Sequence, residues 1–279
     1  MSKIIYTTGL TGFIGRNLLP FLKKKYSYIL NFRRDDVVEV ISSLNKKSSR
    51  VSQNLFVKYP PSSFLNLATY YNPSPENVTS LEDIIEANIF FPLRIIEKIN
   101  SENVTFINTS SYMQLLDNNI QNEYALSKQI FLNKINKISN KIINIYLYDS
   151  FGKGDTRNKV VDVFIIKILK NESITIPADD IDINISSVDD ICNSLSGSLD
   201  IDYGDYSIMS NNTIKLYDLI LVLNNLIGNN VEVIKKGKSM NLMAKILKSP
   251  QNIYQPYDNK SLEDKLMERI NEIRKACSL

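Results

Sequence analysis

The sequence predicts an α/β protein, a parallel, doubly wound sheet with a smaller lobe built by the carboxyl-terminal part of the chain. Three observations predict it. Short apolar runs that read as strands alternate with longer stretches of helical periodicity through the first half of the 279 residues. A glycine-rich turn, Gly9-Leu10-Thr11-Gly12-Phe13-Ile14-Gly15, joins the first strand to the first helix. Small polar residues (Ala68-Thr69, Ser110-Ser111, Asp149-Ser150) stand at the ends of later strands, the edge where such sheets bind ligands.

Residues 3–8 form a short buried strand, and Gly15 to Tyr26 the helix after the glycine turn. Tyr28–Phe32 is the second strand and ends at Arg33-Arg34. Residues 36–58 hold another helix and an edge-type strand. Phe64–Ala68 is a central strand that leaves through a polar loop running through Pro75, and a long helix spans about Leu81 to Asn100. Val104–Asn108 is the next strand, with Thr109-Ser110-Ser111 at its carboxyl end. The helix carrying Tyr124 and Lys128 runs to about Lys137, and Ile142–Leu147 is the strand after it. Right-handed crossovers between these strands give the parallel order. Beyond about residue 165 the chain changes to short segments rich in Asn, Asp and Ser, punctuated by Asp179-Asp180-Ile181-Asp182 and Ser196-Gly197-Ser198. A final helix starts at Ser261-Leu262-Glu263-Asp264 and runs to about Ala276. There is no internal repeat.

Composition excludes several classes. Hydrophobic residues make up 43% and charged residues 23%, the balance of an ordinary globular protein. A net charge of +3, with lysines scattered as at Lys23-Lys24-Lys25, argues against nucleic-acid binding. No apolar run approaches the roughly 20 residues of a membrane span. Met1-Ser2-Lys3 leads straight into a strand, so no signal peptide is expected. Cys192 and Cys277 match no metal-ligand spacing and are too few for a disulfide framework, so no metal and a reduced, cytoplasmic compartment are expected.

Gly9, Gly12 and Gly15 have the spacing of a phosphate-binding strand-to-helix turn. The missing side chains allow the tight bend, the approach of backbone N–H groups to a pyrophosphate, and close packing of helix on strand. The alternative is a purely structural turn. Its position between strand and amphipathic helix favours a Rossmann dinucleotide site, with Thr8, Phe13 and Ile14 beside the glycines. Residues 1–165 then form the NADP(H)-binding domain, and 166–279 the smaller substrate lobe interleaved with it. NAD-selective sites place an acidic residue at the end of the second strand. Here Arg33 and Arg34 stand there, suited to a 2′-phosphate through charge-assisted hydrogen bonds, which favours NADPH. The alternative is a solvated turn whose arginines pair with Asp35 and Asp36.

The chain has no histidine, so proton transfer near neutral pH falls to some other group. Tyr124 and Lys128, four apart, share one helix face, where the ammonium can lower the phenol from its usual pKa of about 10. Such a tyrosine can protonate a carbonyl oxygen as hydride reaches the carbon, with a hydroxyl of Ser110 or Ser111 on the same oxygen. The alternative is an exposed helical pair without a role.

With these residues in view, the chain resembles an extended short-chain dehydrogenase/reductase of the nucleotide-sugar epimerase/dehydratase/reductase type. The likeness covers nearly the whole length. It rests on Thr8-Gly9-Leu10-Thr11-Gly12-Phe13-Ile14-Gly15, Asn66-Leu67-Ala68-Thr69, the helix around Asn88, Thr109-Ser110-Ser111 and Tyr124-Ala125-Leu126-Ser127-Lys128. Phe151-Gly152-Lys153-Gly154-Asp155 and Ser187-Val188-Asp189-Asp190 match further family segments. The resemblance implies that Leu67, Ala68 and Thr69 line the cofactor and that Lys128 holds the nicotinamide ribose. It leaves both Ser110 and Ser111 as candidate catalytic hydroxyls, the fit of Phe106-Ile107 to the family strand leaning to Ser111, and it implies that Asp149 and Ser150 face the sugar and that Arg157 and Lys159 lead into the lobe.

Family 4,6-dehydratases place an Asp-Glu pair after the strand-end threonine. Here Ser111-Tyr112 or Tyr112-Met113 stands there, which argues against dehydration. Family 4-epimerases keep NAD bound and show the acidic residue missing after the second strand. What the resemblance leaves is a reductase that uses NADPH on a CDP-linked or other nucleotide-linked keto sugar, most like the bacterial synthases of 3,6-dideoxyhexoses for O-antigen. A homodimer is compatible with it. Two other readings stay open, a 4-epimerase with tightly bound NAD and a non-catalytic NADP(H)-sensing regulator.

Overall fold

The computed structural model describes residues 3–72, 77–99, 103–116, 122–179, 181–239, 241–246 and 248–277, without the side chain of Cys277. Met1, Ser2, Pro75, Asn100 and Asp180, named above, lie outside the described residues. The chain opens with β1 (Ile4–Thr8), crosses through α1 (Phe13–Lys25) and returns as β2 (Tyr28–Phe32). It doubles back as a hairpin, β3 (Val37–Ile41) and β4 (Lys46–Arg50), before a short helix α2 (Gln53–Lys58) leads to β5 (Ser63–Asn66). A helical stretch over 78–96 follows: α3 (Val78–Ile85), a π-helical turn (Glu86–Phe90) and α4 (Phe91–Ile96). Then come β6 (Thr105–Ser111), α5 (Glu123–Ile135), β7 (Ile142–Leu147), β8 (Asp149–Phe151), α6 (Val160–Leu169), β9 (Ile174–Ile176) and β10 (Asp182–Ser187). The chain ends with α7 (Val188–Gly197), β11 (Gly204–Ile208), β12 (Thr213–Lys215), α8 (Leu216–Ile227), β13 (Val233–Lys235), β14 (Gln251–Asn252) and α9 (Leu262–Cys277).

Among the described residues nine strands form the main sheet, in the order β14-β11-β7-β6-β5-β1-β2-β3-β4. All neighbours are parallel except in the β2-β3-β4 hairpin. The doubly wound α/β reading therefore holds, and strand alternation explains its two cores. Ile5, Ile29, Leu65, Ile107 and Ile143 point to one face, under α1 and α7. Their neighbours Tyr6, Leu30, Phe64, Phe106 and Ile142 point to the other, under α4 and α5. A third cluster gathers α6, α8 and α9 on β9 and β10. The later part of the chain is threaded between these cores: α7, β11 and β14 return to the main sheet, and α6 runs across residue 165. No described helix is long and apolar enough to cross a membrane.

The region 36–58 differs from expectation. Instead of a helix and one edge strand it holds two antiparallel strands and a six-residue helix. Val37-Val38-Glu39-Val40-Ile41 is β-branched and lacks a helical period, so it extends. Asp36 takes a left-handed conformation (φ 56°), and Arg33 N–H bonds to the Val37 carbonyl at 2.9 Å, turning the chain directly back. β4 is exposed throughout, and its lysines and arginine keep that edge from pairing further.

A polar row crosses five neighbouring strands of the sheet. Thr8 donates to Asn66 (2.7 Å), Asn66 to Asn108 (3.1 Å), Asn108 to Asn144 (2.9 Å) and Asn144 to Asp205 (2.9 Å). These residues are direct partners on β1, β5, β6, β7 and β11. Burying three amides is tolerable because each one both donates and accepts along the row.

Candidate active site

The glycine turn fits a dinucleotide. Gly9 has φ 79°, and a Cβ there would lie 2.6 Å from the Ala68 nitrogen and the Leu67 carbonyl carbon. A Cβ on Gly15 would run into the Gly9 carbonyl oxygen and the Leu10 backbone. Glycine is required at both positions by close approach of backbone. Gly12 caps α1 without a side-chain hydrogen bond, and no acidic residue stands in the first turn. The free N–H groups of Phe13 and Ile14 and the positive end of the helix thus face the position a pyrophosphate would take. Asn31 holds the loop from behind, accepting from Leu10 N–H at 3.2 Å and donating to Glu39 at 3.1 Å. Thr8 lies below the cleft in the polar row, and its hydroxyl accepts from Ala68 N–H at 3.3 Å.

Arg33 and Arg34 occupy the β2–β3 turn at the same edge. Arg33 pairs with Asp35 at 3.0 Å and Arg34 with Asp83 at 3.4 Å, all half-exposed. Exposed pairs of this kind contribute little to stability and rearrange readily.

Tyr124 and Lys128 are buried on the inner face of α5, at 9% and 2% exposure. The Tyr124 hydroxyl hydrogen-bonds with those of Thr69 and Ser111, and burial raises its pKa, only partly offset by these bonds and by Arg157. The expected depression by Lys128 is not what the geometry gives. The Lys128 Nζ donates instead to the carbonyls of Thr109 (3.2 Å) and Ala68 (3.4 Å), bridging the ends of β6 and β5. Its burial pushes the ammonium down to about 8. At neutral pH the phenol is therefore protonated and able to act as an acid.

The two serines separate. Ser111 reaches Tyr124, and its turn is fixed by a capping box in which its hydroxyl accepts from Met113 N–H and Gln114 accepts from its own N–H at 2.9 Å. Ser110, pointing the other way along the alternating strand, donates to Asn144 at 2.7 Å.

The segment 149–159 closes the site from the lobe side. Arg157 donates to both oxygens of buried Asp155 (2.8 and 2.6 Å) and to the Ser150 hydroxyl and carbonyl (3.0 and 2.9 Å). Its guanidinium lies 4.1 Å over the Phe13 ring, so one side chain ties the glycine loop to the 149–159 segment. The Lys159 Nζ sits 3.4 Å over the Tyr71 ring, whose edge meets Tyr124 at 4.9 Å between centroids. Burial raises Asp149 and lowers Lys159, and each opposes the shift of the other.

Residues that had no place in the site from sequence alone complete it. Tyr71 and Tyr112 flank Tyr124 and Asp149, and a lone tyrosine in a loop gives no periodic signal. Asn88, in the π-helical turn, accepts from Tyr70 N–H (2.7 Å) and donates to Ser127 (2.9 Å), whose hydroxyl bonds the Tyr124 carbonyl (2.7 Å). It thereby ties the Tyr70-Tyr71 loop to α5. Among the described residues no cluster of three potential metal ligands occurs.

The lowered Lys128 pKa gives a stability prediction. Because the folded value lies below the free one, the unfolded chain binds the extra proton between about pH 8 and pH 10.5. Wild type should therefore gain stability relative to Lys128→Met as pH rises through that window, on the order of 3 kcal/mol in all. Urea unfolding of both proteins at pH 7, 8, 9 and 10 measures it; a constant difference would contradict a buried, strained ammonium.

The NAD dependent epimerase/dehydratase family matches residues 5–183. A CDP-abequose synthase of Yersinia pseudotuberculosis is 29% identical over 250 residues, 82% of this chain and 86% of that protein. The Salmonella typhimurium CDP-abequose synthase is 25% identical over 187 residues, 62% of each chain. The solved UDP-glucose 4-epimerase of Thermotoga maritima superposes with TM-score 0.74 at 17% identity, covering 98% of this chain and 99% of its own. The Pseudomonas aeruginosa RMD complexed with NADPH superposes at 0.71 and 14% identity, covering 99% and 100%.

Proposed function

The chain belongs to the NAD dependent epimerase/dehydratase family, and from that premise we propose that it is an NADPH-dependent reductase of a nucleotide-linked 4-keto sugar. The candidate substrate is CDP-4-dehydro-3,6-dideoxyglucose and the candidate product CDP-paratose, for O-antigen of lipopolysaccharide. The observation that carries this reading is the Tyr124 hydroxyl, kept protonated by burial and joined to Ser111 and Thr69, with Tyr112 and Met113 rather than carboxylates after the serine. The similarity to CDP-abequose synthases supports the dideoxyhexose class. Abequose and paratose syntheses differ in the face from which C4 is reduced.

In this reading the nicotinamide, when bound, supplies the hydride that reaches C4. Tyr124 gives its phenolic proton to the C4 oxygen, so the ketone becomes an alcohol. Ser111 donates a hydrogen bond to the same oxygen and orients the sugar. Lys128 holds the strand ends that frame the cofactor, through the carbonyls of Ala68 and Thr109, and would hydrogen-bond the nicotinamide ribose. Gly9, Gly12, Gly15 and the first N–H groups of α1 would hold the pyrophosphate, with Leu67, Ala68 and Thr69 on the ring side. Asp149, Ser150, Arg157 and Lys159 would meet the sugar nucleotide where the chain leads into the lobe of residues 166–279.

The test is incubation with NADPH and a panel of CDP-, dTDP- and GDP-linked 4-keto sugars, with NMR of the product's C4 configuration. Reduction of the CDP-linked dideoxy sugar to the paratose configuration is expected. Turnover without added cofactor, from tightly held NAD, would favour a 4-epimerase instead. For the 2′-phosphate, Arg33→Ala with Arg34→Ala should raise the KM for NADPH about 10- to 100-fold and leave that for NADH nearly unchanged. Equal effects on both cofactors would leave the arginines with only their pairs to Asp35 and Asp83.

A further inference from the structure

Tyr124 and Ser111 can hold one carbonyl oxygen together only if α5 and the end of β6 keep a fixed separation, because each supplies one of the two hydroxyls. Lys128 ties α5 to β6 at the Thr109 carbonyl. Ser111 lies two residues further on, where β6 ends and a single 3-10 turn, Tyr112–Leu115, begins. A run of amides holds that turn. The Ser111 N–H donates to Gln114 Oε1 at 2.9 Å, Gln114 Nε2 to Gln129 Oε1 at 3.2 Å, and Gln129 Nε2 to Asn133 Oδ1 at 2.9 Å. Gln129 follows Lys128 on α5, so Gln114 joins the Ser111 turn to the helix that carries Tyr124. A weaker contact runs from Nδ2 of Asn122, the residue capping that helix, to the Met113 sulfur at 3.6 Å.

The same turn decides how the Ser111 hydroxyl can act. It accepts from Met113 N–H at 3.3 Å, which occupies a lone pair and leaves its hydrogen to be donated elsewhere. Gln114 closes this capping box by taking the Ser111 N–H. We propose that Gln114 is a positioning residue for the reduction, which with Gln129 sets the Ser111 hydroxyl where it meets the oxygen that Tyr124 protonates. This rests on the reductase reading above. It adds a residue that acts through Ser111 and not on the substrate itself.

The experiment is a double-mutant cycle read as kcat and KM, with NADPH and whichever 4-keto sugar of the panel the wild type reduces. Ser111→Ala should lower kcat about 100-fold, the loss of one donor to a developing oxyanion. Gln114→Ala should lower kcat about 10- to 100-fold and leave the Kd for NADPH unchanged. In the Ser111→Ala background it should cost no more than about twofold, since no hydroxyl is left to place. Gln114→Glu should restore most of the wild-type kcat, because a carboxylate also takes the N–H of a capping box. Gln129, half-buried on α5, gives a second variant: Gln129→Ala should act in the same direction and also lose its effect without Ser111, which decides the matter if Gln114→Ala fails to fold. An equal loss with and without Ser111, no rescue by Glu, or wild-type kcat in the folded variants overturns this inference and leaves the reductase reading standing. Reduction of no sugar by the wild type overturns both.

Discussion

Tyr124→Phe should lower kcat about 100- to 10,000-fold while NADPH still binds with wild-type affinity. The substitution deletes one hydroxyl and keeps the ring, so the edge contact with Tyr71 and the burial of α5 persist. Thr69 and Ser111, which share that hydroxyl, are left at the same place and can still bind the substrate oxygen. The loss should therefore fall on kcat and not on KM, the pattern of an interaction made in the transition state. Steady-state kinetics beside fluorescence titration of NADPH separates the two. A variant that binds cofactor and turns over at the wild-type rate would remove Tyr124 from the chemistry.

Arg269→Met should destabilise the fold by about 3–5 kcal/mol, because it strands a buried carboxylate. Arg269 lies on α9, 6% exposed, and grips Asp162 on α6 with two bonds of 2.8 Å. It also donates to the Asp155 carbonyl at 2.7 Å and to Glu272 at 2.6 Å, while Glu272 accepts from Gly154 N–H at 2.8 Å. The loop that carries Arg157 is thus fastened to the last helix. Asp162 is already raised by its burial, and Arg269 is the main group opposing that. The double variant Arg269→Met, Asp162→Leu should recover most of the loss, since two apolar side chains replace two paired charges. Urea midpoints of the single and double variants test this. Equal destabilisation in both would mean that the cost comes from the released loop and not from the stranded charge.

Much of the site was legible because local rules dictate it. The glycine spacing demands a strand before it and a helix after it, and Tyr124 and Lys128 share a helix face by periodicity alone. Strand-end residues fall on one edge once strands and helices alternate. Other features needed information a linear reading lacks. Residues 37–50 form a hairpin because a left-handed Asp36 turns the chain at once, which a helix-by-default alternation passes over. Ser110 and Ser111 could not be separated by pattern, since β6 is buried on both faces and its side chains alternate without a polarity difference. Arg269 and Asp162 are 107 residues apart and meet only through the packing of the lobe. Nor did sequence show that burial, rather than the nearby ammonium, would dominate the Tyr124 phenol.

The row from Thr8 to Asp205 also guards the alignment of the reacting groups. Sliding one parallel strand by two residues preserves which side chains face each core, so hydrophobic pattern alone tolerates that error. It would shift a strand end by about 7 Å. Lys128 spans the carbonyls of Ala68 and Thr109, and Ser111 must meet a tyrosine from α5, so a slip of that size would dismantle the site. Two places from Asn66, Asn108 and Asn144 along their own strands stand Phe64, Phe106 and Ile142. A slipped strand would set an amide against a phenylalanine or isoleucine and leave buried donors unmet, at about 1–3 kcal/mol each. The asparagines thus act as a proofreading device, making the misaligned sheet costly in the one case that its apolar residues fail to reject.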